Sequence, residues 1–142
     1  MSREQDIGKA FHAEVAVRIS TWWAHFHALM LAGWGAWVIG PTDFKQSVAY
    51  DLFAHLGSEA AIGVPVMLIG LMCFVLAKPE RGRLVLVYGI LGGAFAGICC
   101  AFMLGNWRST GTWIYSMISL GHGITAVQLS ALLEQGKVRY GE

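Results

Sequence analysis

Two histidines in long apolar segments, His27 and His122, are the residues of this chain best suited to chemistry. A neutral imidazole at the middle of a membrane is costly unless it has a partner, so it is a functional candidate. Two histidines at one level on antiparallel helices can hold a haem iron axially, and Gly121 and Gly123 leave space beside His122 for a flat ring system. The pair therefore predicts a haem b or quinone site; hydrogen bonding of each imidazole to a neighbouring helix is the alternative.

A row of polar side chains accompanies His122, with one polar residue at every third position. Such a row winds slowly around a helix, because three residues fall short of a full turn. In one copy we expect the row to face the interior of a helical bundle, and in an oligomer to line a water-filled path. Hydrogen bonds between packed helices are the alternative. The row consists of Ser116, Ser119, His122, Thr125 and Gln128.

The rest of the sequence carries no signature of an enzyme. It has no nucleophile elbow, no HExxH zinc motif and no phosphate-binding loop between a strand and a helix. Cys73, Cys99 and Cys100 lie in apolar runs without the spacing of a zinc site. We therefore predict no catalytic residues, no metal site and a non-enzymatic role. The net charge of +1 gives no reason to expect nucleic-acid binding.

The elements that hold these residues are predicted to be membrane-spanning helices. Hydrophobic residues make up 56% of the 142 residues and charged residues 13%, about half the charged share of a soluble domain. Residues 84–104 carry no charge over a length that crosses about 30 Å of hydrocarbon. Gly89, Gly93 and Gly97 recur there at every fourth position, which predicts a packing face for another backbone, in the same chain or in another.

Four spans are predicted, so the fold class is an all-α membrane protein. The spans are residues 17–39, 58–77, 84–104 and 112–133, which together form a four-helix transmembrane domain over 17–133. Ser58 is expected to be the N-cap of the second span. Three flanking segments complete the chain: a short amphipathic N-terminal helix at 1–16, an outer interfacial helix at 43–56 and a cytoplasmic tail at 134–142.

The positive charges predict the orientation of these spans. Eight of the ten lysine and arginine residues fall in the N-terminal segment, the turn at 78–83 and the tail. The positive-inside rule therefore places both termini in the cytoplasm, and an even number of spans requires both ends on one side.

The first predicted span also carries a resemblance to a known class of protein. Residues 27–44 read HALMLAGWGAWVIGPTDF, and the AGWGAW core and the PTDF turn resemble small multi-pass membrane proteins of tailed phages and prophages, which are holin-like or of unassigned role. The resemblance implies a homo-oligomer in the bacterial inner membrane that makes or assists membrane lesions. No residue role follows from it.

The expected function is therefore that of a non-enzymatic inner-membrane protein that self-associates in the lipid bilayer and is holin-like. One alternative is a haem b- or quinone-binding membrane subunit that uses His27 and His122. Another is an accessory structural subunit of a larger membrane complex, docked through the helix at 43–56. The sequence leaves all three open.

Overall fold

The computed structural model describes residues 3–40, 58–106 and 110–140 of the chain. In these ranges the backbone forms four α-helices and no strand. The prediction of an all-α chain with four long helices is therefore confirmed. The helices are α1 (Arg3–Ile39), α2 (Glu59–Leu76), α3 (Arg81–Asn106) and α4 (Thr110–Tyr140).

α1 is one continuous helix of 37 residues. It joins the segment 1–16 to the first predicted span, so from Arg3 onward there is no separate N-terminal helix. No proline interrupts the sequence at the expected junction, and Arg18 forms an ion pair of 2.9 Å with Glu14 across it, at the i,i+4 spacing that supports a helix. The predicted interfacial helix at 43–56 lies outside the described residues.

α2 and α3 start and end near their predicted boundaries, whereas α4 runs seven residues past its predicted end. Ser58 is the N-cap of α2, as predicted, and its hydroxyl oxygen accepts a hydrogen bond of 3.3 Å from the Ala61 amide. α3 exceeds the predicted span 84–104 by one turn or less at each end, because its flanking polar residues also adopt helical geometry. α4 extends beyond the predicted span 112–133 and includes most of the predicted tail.

α1 and α2 pack as a close antiparallel pair because glycine and alanine line their contact. A Cβ added at Gly70 would lie 2.5 Å from the Ala32 nitrogen, and one added at Gly35 would lie 2.6 Å from the Gly63 oxygen. The two backbones therefore approach to a distance that only small residues permit.

α3 and α4 form the second close antiparallel pair. The Ser119 hydroxyl donates a hydrogen bond of 3.0 Å to the Gly92 carbonyl, and the Arg81 guanidinium donates one of 3.2 Å to the Leu132 carbonyl. The two pairs meet less extensively, mainly where α3 lies against α1 and α2. The largest fully buried side chain, Phe95, lies at this junction.

The outer surface of the bundle is largely apolar. α2 and the segment Arg81–Leu104 of α3 are long and apolar enough to cross a membrane. Only 17% of α2 and 44% of the α3 segment are buried inside the chain. Large exposed apolar side chains of α2 are Val64, Leu68, Leu71, Met72, Phe74 and Val75.

Candidate functional site

The structure brings His27 of α1 and His122 of α4 into direct contact. Their ring centroids are 4.6 Å apart and the ring planes are inclined by 69°, so the rings meet edge to face. His122 is only 2% exposed, whereas His27 is half-buried. The two histidines expected at one level of the bundle therefore do meet, although 94 positions separate them.

Aromatic rings from α1 and α3 surround the two imidazoles. Phe95 stacks on His122 with ring centroids 5.4 Å apart, and Tyr88 lies at the same centroid distance from His122. Trp23, one turn before His27, stacks on it at 5.7 Å. We call these five residues the histidine–aromatic cluster. Three helices contribute to it, so its geometry depends on the packing of the whole bundle.

The absence of a side chain at Gly92 allows His122 of α4 to pack closely against α3. A Cβ added at Gly92 would lie 3.3 Å from the Cβ of His122, which is tighter than an ordinary van der Waals contact. The hydrogen bond from Ser119 to the Gly92 carbonyl holds the helices at this separation. A Cβ at position 92 would therefore require His122 to shift by a few tenths of an ångström.

The hydrogen bonds of the two imidazoles are incomplete. The Nδ1 atom of His122 is 2.6 Å from the Ile118 carbonyl, whereas its Nε2 atom is buried without a partner among the described residues. The Nδ1 atom of His27 is also buried; the Trp23 carbonyl one turn earlier is within its reach but not in hydrogen-bonding geometry. A buried polar atom without a partner calls for an explanation.

The observed arrangement does not fit a haem between the two histidines. An axially ligated iron needs one ring nitrogen on each side of a flat macrocycle. The rings of His27 and His122 instead touch each other, so haem ligation requires them to move apart. Among the described residues, no group of three histidine, cysteine, aspartate or glutamate side chains is arranged to hold a metal ion.

The predicted polar row divides into a buried part and an exposed part. Ser119 and His122 face α3, and Ser116 contacts α3 through the Cys99 sulfur, 2.9 Å from its hydroxyl oxygen. Thr125 is half-buried and donates to the Gly121 carbonyl, whereas Gln128 is exposed. The reason is the spacing itself: twelve residues along a helix rotate the row by about 120°. The expectation of an inward-facing row thus holds for its first three members and not for Gln128.

The predicted packing face of α3 is open in this chain. A Cβ added at Gly89, Gly93 or Gly97 would have no described atom within 4 Å, apart from its own helical neighbourhood, and all three glycines are exposed. Close helix contacts inside the chain use Gly92 of α3 and the glycines of α1 and α2 instead. The row at 89, 93 and 97 is therefore available to a second molecule.

Two features of the site were not singled out from the sequence. The Tyr88 hydroxyl donates a hydrogen bond of 2.7 Å to the Ser20 carbonyl, which links α3 to α1 beside the histidines. The hydroxyl group of a buried tyrosine usually has a hydrogen-bond partner, so the position of Tyr88 in an uncharged predicted span could have indicated this contact. The other feature is the small-residue face of α1, whose members recur at spacings of four, four and three: Ala24, Ala28, Ala32 and Gly35.

The site as a whole is a pair of imidazoles enclosed by aromatic rings, with at least one unused hydrogen-bond acceptor. It contains no nucleophile–base pair among the residues described above. Comparison of the chain with protein-family models, with curated proteins and with solved structures finds no match.

Proposed function

We propose that this chain is an integral protein of the bacterial inner membrane, with four spans and both termini in the cytoplasm, that self-associates through the open glycine face of α3. The proposed role is non-enzymatic and holin-like: assemblies of the chain make or assist lesions in the membrane. The resemblance of residues 27–44 to small phage-encoded membrane proteins points the same way.

The observation that carries the membrane proposal is the exposure of α2. A core helix of a soluble protein is mostly buried, but only 17% of this strongly apolar helix is covered by the rest of the chain. Leaving apolar surface in water costs roughly 25 cal/mol for each Å². Hydrocarbon surroundings remove that cost, so lipid is the environment that suits α2.

The argument for self-association rests on the surface of α3. Gly89, Gly93 and Gly97 form a shallow strip without side chains, along which a second backbone can approach. Cys100, three positions after Gly97, is exposed on the same side of the helix, whereas Cys73 and Cys99 are buried. The chain thus has a natural thiol at the edge of the proposed contact.

Oxidative crosslinking of the full chain in native membranes tests this contact. A disulfide forms only when two Cα atoms come within about 7 Å, so a Cys100-linked dimer reports close approach of two α3 helices. We expect such a dimer in the wild type, its loss in Cys100→Ser, and a strong decrease in Gly93→Leu. Gly123→Leu, a matched change at an open glycine of α4, should retain the dimer. Equal crosslinking in both leucine variants would remove the glycine face from the proposal.

The lesion-forming role is tested by dye release from reconstituted lipid vesicles. We expect carboxyfluorescein to escape once the protein density passes a threshold, because a lesion needs several copies. Gly93→Leu should raise that threshold, whereas Gly123→Leu should leave it unchanged. Intact vesicles at every protein density would exclude the holin-like role and favour an accessory subunit, for which a stable copurifying partner is the evidence.

A second candidate function is the haem b-binding membrane subunit predicted from His27 and His122, which lie at one level of the bundle although their rings touch each other. It requires the two rings to separate around the macrocycle. A visible absorption spectrum of the purified protein, oxidised and then reduced, distinguishes the two candidates. A Soret band that is lost in His27→Ala and His122→Ala would establish the cytochrome; a colourless protein would leave self-association as the working function.

A further inference from the structure

A cavity of about 460 Å³ lies between α1, α3 and α4, directly beside the histidine pair. Its inner wall is formed by His27, Tyr88 and His122, and its rim includes Trp23 and Met117, which are 45% and 65% exposed. The cavity therefore opens sideways between α1 and α4. Its volume is in the range of small-molecule sites.

The hydrogen bond of His122 to its own helix determines what its other nitrogen can do. A carbonyl oxygen only accepts, so the contact of Nδ1 with the Ile118 carbonyl places the imidazole hydrogen on Nδ1. In the neutral ring that the apolar surroundings favour, Nε2 then carries a lone pair and no hydrogen. This acceptor, on a residue that lines the cavity, has no partner among the described residues. The atom itself is covered, so a ligand in the cavity reaches it once the side chains that cover it shift.

Two hydroxyl groups of the cavity already donate their hydrogens to the backbone. Tyr88 donates to the Ser20 carbonyl at 2.7 Å, and Thr125 donates to the Gly121 carbonyl at 2.9 Å. These two groups and the Nε2 atom of His122 therefore still offer a ligand acceptor capacity. A molecule that pairs with this Nε2 atom must bring an O–H or N–H donor of its own.

The walls of the cavity also indicate the shape of the ligand. Trp23 and Tyr88 present aromatic rings, and a flat ring stacks favourably against such surfaces. No charged side chain is among the residues that line the cavity, so a neutral molecule is favoured. An aromatic ring with a neutral hydroxyl group meets all of these conditions.

We propose that this cavity binds a lipid-soluble phenol, a class that includes quinols, whose O–H group donates a hydrogen bond to Nε2 of His122. Entry from the bilayer through the opening between α1 and α4 rests on the proposed membrane location. The recognition itself rests only on the cavity. It differs from haem ligation because the two histidines keep their observed contact.

Binding of para-hexylphenol and of its methyl ether, para-hexylanisole, to the full chain in ring-free detergent micelles tests the proposal. The two probes share the ring and the alkyl chain, and only the phenol has a donor. We expect the phenol to bind about fivefold more tightly, because a typical hydrogen bond contributes a net free energy that corresponds to about that ratio of Kd values. With nitrogen-15-labelled histidine, the Nε2 resonance of His122 should move with the phenol and stay in place with the ether.

Variants assign the difference to the proposed atom. His122→Phe should bind both probes equally, whereas His12→Phe, at an exposed site, should keep the preference for the phenol. Because His122→Phe also alters packing, the comparison of the two probes on the wild type decides the matter. Equal affinities of the wild type for the two probes would overturn the proposal. So would an Nε2 resonance of His122 that indicates a hydrogen bond from water and does not move when the phenol is added.

A competition experiment shows whether membrane quinols belong to the class of molecules that the cavity binds. Displacement of the phenol by decylubiquinol but not by decylubiquinone would extend the class to membrane quinols, and no displacement would restrict it to simple phenols. The assay in micelles reports on the cavity whether or not copies assemble. Cys100 crosslinking reports on assembly whether or not the cavity is filled, so the two proposals fail separately.

Discussion

The hydroxyl group of Tyr88 connects α3 to α1 through a hydrogen bond of 2.7 Å to the Ser20 carbonyl. This oxygen belongs to the backbone of α1, two turns before His27. A side chain–backbone bond of this kind specifies how α3 is rotated against α1. It therefore holds the aromatic walls of the site in register.

Replacing Tyr88 by phenylalanine should weaken the fold modestly. Interhelical hydrogen bonds in membrane proteins contribute about 0.6 kcal/mol on average, so we expect Tyr88→Phe to lower the free energy of unfolding by roughly 0.5–1.5 kcal/mol. Unfolding by denaturing detergent in mixed micelles measures the change. Met117→Leu, at an exposed position, serves as the control. Equal stability of Tyr88→Phe and the wild type would show that the bond is not formed.

At this scale the sequence predicts that the two histidines lie at one level, but not which other rings contact them or which atoms are free. The depth of His27 and His122 in their predicted spans was sufficient to expect that shared level. The unused Nε2 atom of His122 depends on the rotamer that directs Nδ1 to the Ile118 carbonyl. A rotamer follows from the packing of neighbouring helices, which residue spacing does not contain.

The helices use their glycines in two different ways. Gly35, Gly63 and Gly70 are enclosed between α1 and α2, and Gly92 lies against α4, whereas the row at 89, 93 and 97 faces outward. A four-residue repeat identifies a face of a helix, but it does not identify what covers that face. The sequence therefore located a strip of small residues and left its partner undetermined.

Alanine at Gly70 and at Gly93 should have opposite consequences for the folded chain. Gly70→Ala forces a Cβ to 2.5 Å from the Ala32 nitrogen, so the helices must separate, and we expect a loss of about 1–3 kcal/mol, the usual range for overpacking. Gly93→Ala meets open space and raises helix propensity, so stability should stay the same or rise slightly. Thermal unfolding of the two purified variants tests the contrast. A comparable loss in both would contradict the assigned contacts.

The start of α2 was predictable because its signal is local. Ser58 caps α2 through its own hydroxyl, and such a cap needs no tertiary context. The continuity of α1 through the expected break near residue 17 was not predictable from amphipathicity alone. A change in surface character does not interrupt a helix, and only a residue that breaks the hydrogen-bond pattern would have ended α1 there.

The described part of the molecule carries large apolar side chains on its outer surface as well as in its core, whereas a soluble bundle covers its surface with polar residues. Composition was sufficient to anticipate this, since 13% charged residues cannot cover the surface of four helices. Two of the four helices meet the length and apolarity expected of a span. The number of spans that actually cross the bilayer is a property of the chain in lipid and requires a measurement there.

Reporter fusions to full-length protein measure that topology. If both termini are cytoplasmic, green fluorescent protein should fluoresce and alkaline phosphatase should be inactive at either end, because the former folds in the cytoplasm and the latter needs the oxidising periplasm. Changing Lys78, Arg81 and Arg83 together to glutamine should reduce this preference. Active phosphatase at one terminus would indicate an odd number of spans and exclude the proposed arrangement.

The contact between α1 and α2 also supplies a criterion for recognising relatives of this chain. Gly35, Gly63 and Gly70 have main-chain atoms of the opposite helix where a side chain would begin, so we expect any chain with this pair to retain glycine at all three. Two glycines seven residues apart in α2, with a third in the preceding helix, thus define a steric fingerprint. Divergent sequences that share little else can be grouped by that fingerprint before any of them is assayed.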